Sequence, residues 1–168
     1  MNEQQQINKI QKSFGKSLIT FGIKFLNSAF HLSPKIFSRQ QISNFLTQLK
    51  LTSLSLADEN YYIIDWNDWL NLIQYDWTEE HPYYADKFDC DNFSGYFTAN
   101  NAYVYDLNSA ATCFGQIFNK NTGVLVGNHA FNLIIATENN QLAAYLFEPM
   151  TGKYVKYSTN TESNIIDN

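Results

Sequence analysis

The strongest constraint on the fold is a change in hydrophobic pattern near residue 106. Before it, apolar residues recur at every third or fourth position, which is typical of helices that bury one face. After it, apolar runs of strand length alternate with the turn-forming sequences "NKNTG", "ENNQ" and "MTG". These runs predict strands near residues 112–118, 123–137, 142–149 and 153–157. Helices followed by consecutive strands with short connections indicate an α+β domain with an antiparallel sheet.

The first predicted helix, from about residue 4 to residue 29, has a single apolar stripe. The stripe residues are Ile7, Ile10, Phe14, Leu18, Phe21 and Phe25, and lysines occupy the polar side. The simplest interpretation is that the stripe packs on the rest of the protein. A membrane surface or a partner helix is the alternative, because basic amphipathic helices also bind at such surfaces.

Two further helices are predicted from residues that can cap them. In "HLSPKIFS" the first helix is broken at Pro34, and Ser38 can then cap a second helix that runs to about Lys50. Asp65 ends the predicted short strand "YYIID" and can cap a short helix over "WNDWLNLI". Both segments therefore precede the sheet.

Charge divides the chain into two parts. Residues 1–57 carry seven basic side chains and one acidic side chain, whereas residues 58–168 carry four basic and fifteen acidic ones. This asymmetry predicts a basic helical extension over 1–57 and a separate domain over 58–168. A net charge of −11 on the larger part argues against nucleic acid as its partner, because phosphates would be repelled.

Cysteine content and hydropathy bear on the compartment. Two cysteines, Cys90 and Cys113, are too few for a disulfide framework, and a pair of free thiols favours a reducing, cytoplasmic compartment. The start of the chain lacks the uninterrupted apolar run of a secretory signal. No stretch approaches the roughly 18 apolar residues of a transmembrane helix.

Cys90 stands between two aspartates in "FDCDNF", at a predicted helix start. Asp89 is placed to cap this helix, which runs to about residue 106. A cysteine in the first turn of a helix faces unpaired backbone N–H groups and the positive end of the helix dipole, which stabilise a thiolate and supply an oxyanion donor. Full activation also needs a general base, normally histidine, and a third group that orients the base.

His129 and Glu148 are the candidates for these two roles. His129 opens the strand "HAFNLIIAT", whereas His31 lies in a linker and His81 in an acidic loop. A two-residue hairpin loop at 139–140 makes His129 and Glu148 diagonal neighbours on one sheet face, and a loop shifted by one residue places them directly opposite. A three-residue loop puts them on opposite faces. Glu148 ends an apolar strand, where a carboxylate needs a partner. The spacing favours a triad, and three unrelated structural residues are the alternative.

Other conspicuous residues are predicted to be structural. Cys113 lies in the apolar run "ATCFGQIF" and is expected in the core. Asn132 follows His129 by three positions, so it points to the opposite face of the strand. The tryptophans are most simply core and loop anchors, with the walls of a substrate cleft as the alternative: Trp66, Trp69 and Trp77.

The runs "YYADKFDCDNFSGYF", "GNHAFN" and "FEPMTGKY" resemble a papain-like cysteine protease family. That family includes the C-terminal protease domain of a fungal galactose-binding agglutinin and related bacterial and phage proteins, and the similarity covers about residues 60–157. It implies a papain-like fold in which N-terminal helices and the cysteine-bearing helix pack on an antiparallel sheet or half-barrel. It also implies that Cys90 is the nucleophile, His129 the base and Glu148 the orienting group.

The resemblance further implies calcium dependence through acidic residues beside the cysteine. Asp89, Asp91 and Asp86 are the predicted ligands, because a bound Ca²⁺ would cancel their charge next to the thiol. The chain departs from the family at Met150, where members often have Gln. No papain-type oxyanion glutamine is identifiable.

These features predict a cysteine-dependent hydrolase of peptide or amide bonds, with a peptide or protein substrate. Acyl transfer to an amine, as in a transglutaminase-like enzyme, uses the same three groups. A non-catalytic binding module that retained the fold is the alternative from another class. A pro-segment or inhibitory role of residues 1–57 is a further hypothesis, because their charge is opposite to that of the domain.

Overall fold

The computed structural model describes residues 3–51, 54–119 and 121–159. Its helices are α1 (Glu3–Ala29), α2 (Arg39–Gln48), α3 (Trp66–Gln74) and α4 (Cys90–Tyr105), with one turn of 3-10 helix at Thr78–Glu80. Its strands are β1 (Lys35–Ser38), β2 (Asn60–Ile63), β3 (Ala110–Phe118), β4 (Leu125–Glu138), β5 (Gln141–Glu148) and β6 (Lys153–Tyr157). Two antiparallel sheets and these helices confirm the predicted α+β class. None of the helices in the described ranges combines the length and the apolarity that crossing a membrane requires.

The predicted capping residues begin their helices. Ser38 precedes α2, where its side chain accepts from the Gln41 N–H and its own N–H donates to Gln41 Oε1 at 2.8 Å. Asp65 precedes α3 and accepts from the Asn67 N–H at 3.0 Å. Each bond satisfies a backbone donor that has no partner within its helix, which explains why these helices begin where they do.

The main sheet contains β3, β4, β5 and β6 in that order, all antiparallel. Its central hairpin has the predicted two-residue loop, because Glu138 pairs with Gln141. Asn139 and Asn140 have φ values of 50° and 65°, the left-handed conformations that a tight hairpin turn requires and that asparagine tolerates. The turn therefore sets the register of β4 against β5.

A second, two-stranded sheet was not anticipated. The segment "KIFS" of β1, interpreted from the sequence only as part of a helix break, pairs antiparallel with β2. Its register places Lys35 opposite Ile63 and Ser38 opposite Asn60. A four-residue strand has too little periodicity to be recognised alone, and it exists because β2 supplies the hydrogen-bonding partners.

The chain divides into two compact units, Met1–Leu32 and Ser33–Asn168. The first contains α1, and the second contains the other helices and all the strands of the described residues. The sequence-based boundary between residues 57 and 58 therefore falls inside the second unit. The physical reason is burial, because Leu46 of α2 packs in one hydrophobic core with Leu133 of β4.

Within the second unit, the main sheet is covered on both faces. On one face, α2 and β2 enclose a core with Leu133 and Leu146 of the sheet. On the other face, α4 packs through Phe97, whose ring centroid lies 4.5 Å from that of Phe147. The buried Trp69 of α3 adjoins Phe97 in the same layer. Successive residues along β4, and likewise along β5, therefore point to opposite faces of the sheet, as strand alternation requires.

Candidate active site at the start of helix α4

His129 and Glu148 form a hydrogen bond between β4 and the end of β5. The Nε2 atom of His129 meets Oε2 of Glu148, whose side chain is only 2% exposed. The other carboxylate oxygen of Glu148 accepts from the Met150 N–H at 3.0 Å. Both oxygens of this buried acid therefore have partners, which is the condition under which a buried carboxylate is tolerated.

The ladder register explains why these two side chains meet. Asn132 pairs with Phe147, and the same register carried on by one residue sets Phe131 opposite Glu148. His129 then lies diagonally from Glu148 on one face, as the two-residue loop predicted. The rings of His129 and Phe131 stack on that face, with centroids 6.4 Å apart.

The hydrogen bond leaves one nitrogen of His129 available. An ionised carboxylate can only accept, so Nε2 carries the ring proton in the neutral histidine and Nδ1 carries a lone pair. Nδ1 has no hydrogen-bond partner among the residues that the structure describes. The ring is largely but not fully buried, with 14% of its side-chain surface exposed. Nδ1 is therefore the atom that can accept a proton from a thiol.

Cys90 is the first residue of α4, and its side chain is partly buried. Asp89 precedes it as the predicted cap, and the Asp89 N–H donates to Asn92 Oδ1 at 3.2 Å. The backbone N–H groups of the first turn have no acceptors within the helix, so they point outward from its positive end. Cys90 thus lies in the first turn of α4, beside these unpaired donors.

Helix α4 is joined to β4 by hydrogen bonds between side chains and backbone. Ser94 Oγ donates to the Phe131 carbonyl at 2.9 Å. The buried amide of Asn132 donates to the Ser94 carbonyl at 3.0 Å and to Thr98 Oγ1 at 2.9 Å. Asn132 therefore points away from His129 and toward the helix, as the strand alternation predicted.

These contacts indicate where Cys90 lies along β4. Ser94 meets residue 131 and Thr98 meets residue 132, so the helix and the strand advance in the same direction. Cys90 precedes Ser94 by one helical turn on the same side, which places it toward the end of β4 that carries His129. No hydrogen bond joins Cys90 Sγ to His129 in the described part of the chain. The structure thus brings His129 and Glu148 into contact and packs the cysteine-bearing helix on the opposite face of β4, with Cys90 toward the end of the strand that carries His129.

The ladder between β4 and β5 ends at the Asn132–Phe147 pair, and on their outer sides His129 pairs with Gly115 of β3 and Glu148 pairs with Lys153 of β6. The hydrogen bond between His129 and Glu148 therefore joins the two strands just past the end of their backbone ladder. By strand alternation, both side chains lie on the sheet face opposite the one on which α4 packs.

The two aspartates that flank Cys90 interact with each other. A hydrogen bond from Asp91 lowers the pKa of Asp89, helped by the backbone N–H groups of Asp86 and Asp91, and the same bond raises the pKa of Asp91. Both carboxyl groups are exposed, one on each side of Cys90 at the start of α4.

The predicted calcium ligands are only partly assembled. The side chains of Asp89 and Asp91 are together, whereas Asp86, at φ 61°, is linked to Asp89 through its backbone N–H. Among the described residues there is no group of three or more His, Cys, Asp or Glu side chains that could hold a metal ion. The calcium dependence stays a prediction from the resemblance.

The second cysteine has a different environment. Cys113 lies in β3 opposite Phe131 and is a free thiol, as Cys90 is. Burial raises the pKa of the Cys113 thiol, although a hydrogen bond with the Leu133 backbone lowers it in part. This agrees with the structural role predicted for Cys113.

The sequence did not indicate that His81 lies beside the cysteine-bearing helix. Its ring packs on Phe88 with centroids 3.8 Å apart and contacts Phe93 of α4 edge-on at 6.1 Å. In the same loop, Trp77 is exposed and donates to the Tyr96 hydroxyl at 3.0 Å. The only available signal was the density of aromatic residues between Tyr75 and Phe88, which predicts contacts but not their partners. Trp66 and Trp69, by contrast, are core residues.

Comparison with known proteins identifies similarity at the level of fold. No protein-family model and no curated protein matches this sequence. The solved structure described as "PSL1a-E64 complex" matches with a TM-score of 0.52 and 22% identity, covering 74% of this chain and 46% of that one. Polyporus squamosus lectin bound to a human-type influenza-binding epitope matches with a TM-score of 0.44 and 21% identity, covering 60% of this chain and 36% of that one. The chain spans less than half the length of these lectin chains, and its α+β fold is similar to part of PSL1a.

Proposed function

We propose that this protein is a papain-like cysteine hydrolase that cleaves peptide or amide bonds. Cys90 is the nucleophile, His129 the general base and Glu148 the group that orients His129. The observation that carries the proposal is the hydrogen bond between His129 and the buried carboxylate of Glu148. An acid that holds a histidine ring in one orientation is the arrangement through which a thiol–histidine pair becomes competent for nucleophilic catalysis.

Glu148 contributes orientation and charge. It fixes the tautomer in which Nδ1 of His129 accepts the Cys90 proton, and its negative charge stabilises the imidazolium that forms. The Met150 N–H holds the second carboxylate oxygen, so Glu148 cannot rotate freely. Because this contact comes from the backbone, methionine at position 150 preserves it.

The reaction proceeds in two halves. In the first, Cys90 Sγ bonds to the substrate carbonyl carbon, the thiol proton passes to His129, and a backbone N–H at the start of α4 donates to the resulting oxyanion. The tetrahedral species then expels the amine, which takes the proton from His129 and leaves a thioester. In the second half, water transfers a proton to His129, attacks the thioester and releases the carboxylic acid and the free thiol. An amine in place of water yields acyl transfer.

The similarity to PSL1a supports the proposal in one respect and supplies a probe. The structure of that protein is a complex with E64, a thiol-reactive epoxide. At 22% identity the similarity concerns the fold alone, so the papain-like chemistry and the peptide substrate belong to this proposal. What this chain adds is the position of Cys90 at a helix start and the His129–Glu148 contact on adjoining strands.

The proposal includes a calcium ion beside the nucleophile. Asp89 and Asp91 fit such an ion as two ligands, because their carboxyl groups lie within hydrogen-bonding distance of each other and hard cations prefer carboxylate oxygens. A bound cation would cancel negative charge next to Cys90. Titration calorimetry with Ca²⁺ tests this without an activity assay, comparing the wild type with the double variant Asp89→Asn/Asp91→Asn. Heat of binding in the wild type alone is expected, and equal heats in both proteins would remove the ion from the proposal.

The catalytic proposal is tested by intact-mass analysis and peptide mapping after treatment with E64, with and without Ca²⁺. One adduct at Cys90 is expected in the wild type and in Cys113→Ser. His129→Ala should react at least about a hundredfold more slowly, because the base is removed. Labelling of Cys113 at the same rate as Cys90, or labelling that does not respond to His129→Ala, would favour a non-catalytic module instead.

A further inference from the structure

Helix α1 presents an apolar face to solvent. Its stripe residues are each between 41% and 70% exposed: Ile7, Ile10, Phe14, Leu18, Phe21 and Phe25. The rings of Phe21 and Phe25 stack with centroids 6.5 Å apart, so the aromatic part of the stripe is continuous. A row of large apolar side chains of this length on one helix face indicates a surface that becomes covered when α1 meets its partner.

The spacing of the stripe argues against a left-handed coiled coil. The positions repeat with a period of 11, because Ile7 corresponds to Leu18 and Ile10 to Phe21. That period keeps the stripe almost parallel to the axis of a straight helix, whereas a left-handed coiled coil needs the shorter repeat of seven residues. A heptad that begins at Ile7 would place Ser17 in its apolar seam. The stripe therefore runs straight along the helix, as docking on a flat surface requires.

The positive charge of α1 indicates which kind of flat surface the helix would bind. Lys9, Lys12 and Lys16 line one exposed patch together with Asn8 and Ser13, on the side of the helix roughly opposite the stripe. A helix about 10–12 Å in diameter keeps these lysines near one Debye length of a surface on which the stripe lies, so anionic head groups would still attract them. This combination of a lysine-rich polar face and an apolar face rich in phenylalanine is typical of helices that lie in the membrane interface.

We propose that α1 binds an anionic lipid bilayer, lying in the plane of the interface with the stripe from Ile7 to Phe25 inserted between the head groups. The lysines then stay in water and contribute long-range attraction to acidic lipids. The inference concerns α1 by itself and does not depend on the chemistry at Cys90. The partner of α1 is a surface that offers both acyl chains and negative charge.

The experiment is co-sedimentation of the full chain with vesicles of phosphatidylcholine alone or mixed with phosphatidylserine. Binding is expected to the mixed vesicles, with weaker binding at high salt. The variant Phe14→Glu/Phe21→Glu should lower the binding constant by about a hundredfold or more, because each phenylalanine contributes roughly a factor of ten when buried. The variant Lys9→Gln/Lys12→Gln/Lys16→Gln should abolish the preference for phosphatidylserine.

The matched control is Asn8→Glu/Ser13→Glu, which makes the same charge change on the polar side of α1. It should lower binding by less than about tenfold, since it removes no buried apolar surface. Circular dichroism checks that the helical content of the variants is the same. Absence of binding to mixed vesicles, or equal losses in both glutamate variants, would overturn the proposal. Sedimentation that shows stripe-dependent self-association without vesicle binding would identify a second copy of the chain as the partner instead.

Discussion

His129 and Glu148, nineteen residues apart in the sequence, form a hydrogen bond that joins β4 to the end of β5. Glu148 is buried, and its second oxygen is held by the Met150 backbone. An acid in this position has little freedom to choose another partner, so the contact orients the histidine ring. Substitutions around this contact should change the reactivity of the Cys90 thiol and the stability of the fold by different amounts, and the two effects can be measured separately.

Replacement of Glu148 by glutamine should impair the site more than the fold. The amide can donate to Nε2 of His129 and still accept from the Met150 N–H, so the free energy of unfolding should change by no more than about 1–2 kcal/mol. The proton of His129 then moves to Nδ1, which can no longer accept from the thiol. We expect labelling of Cys90 by the epoxide to slow by about a hundredfold or more. Urea denaturation and labelling rates measure the two effects, and unchanged labelling would show that Glu148 does not set the tautomer.

Asn132 should affect Cys90 through the position of α4. Its buried amide bonds to both the Ser94 carbonyl and Thr98 Oγ1, so Asn132→Ala is expected to cost about 1–3 kcal/mol and to slow labelling of Cys90. Asn101→Ala is the matched control, because within the described ranges the buried Asn101 amide donates only to the Phe97 carbonyl of its own helix.

Asn132→Ala and Asn101→Ala should therefore lose similar stability but differ in the rate at which Cys90 is labelled. Chemical denaturation measures the free energy of unfolding, and labelling is measured under conditions where both variants are folded. Equal labelling rates would mean that the link between α4 and β4 does not position the thiol.

Cys113 should react slowly at neutral pH. Burial raises the pKa of its thiol, and the thiolate fraction falls about tenfold for each pH unit below the pKa. Alkylation of Cys113 in a Cys90→Ser background should therefore accelerate as pH rises toward the raised pKa and should also accelerate in denaturant. Rates measured by mass spectrometry between neutral and alkaline pH test this. A rate at neutral pH equal to that of an unfolded chain would contradict the shift.

The stability of the turn between β4 and β5 should depend on whether residue 140 tolerates a positive φ. Asn140, at φ 65°, is better replaced by glycine than by alanine. Asn140→Gly should stabilise the protein by about 0.5–1 kcal/mol, whereas Asn140→Ala should destabilise it by about 1 kcal/mol. Thermal unfolding measures both variants, and equal effects of glycine and alanine at position 140 would argue against the left-handed turn.

Several elements were predictable because their causes are local. Ser38, Asp65 and Asp89 mark helix starts through bonds to backbone groups a few residues away, so the pattern alone indicates them. The loop at Asn139 and Asn140 is equally local, and it sets the register from which the His129–Glu148 contact follows. Local sequence patterns therefore predicted part of the candidate active site.

Other features required contacts between distant segments. Nothing in "KIFS" specifies β2 as its partner, and the charge boundary at residue 57 gives no sign that Leu46 packs with Leu133. The contact of His81 with Phe93 depends on how the aromatic loop folds back over α4.

The α+β class, the helix starts and the central hairpin follow from the amino-acid sequence alone, because capping, turn chemistry and strand alternation act over a few residues. Long-range packing was needed to place α2 in the core of the second unit and to join α4 to β4 through Asn132. These depend on burial and hydrogen bonds between residues far apart in the chain, which hydrophobic periodicity does not encode. The chemistry proposed at Cys90 therefore depends on both kinds of contact: a local helix start carries the thiol, and strand pairing positions the proposed base.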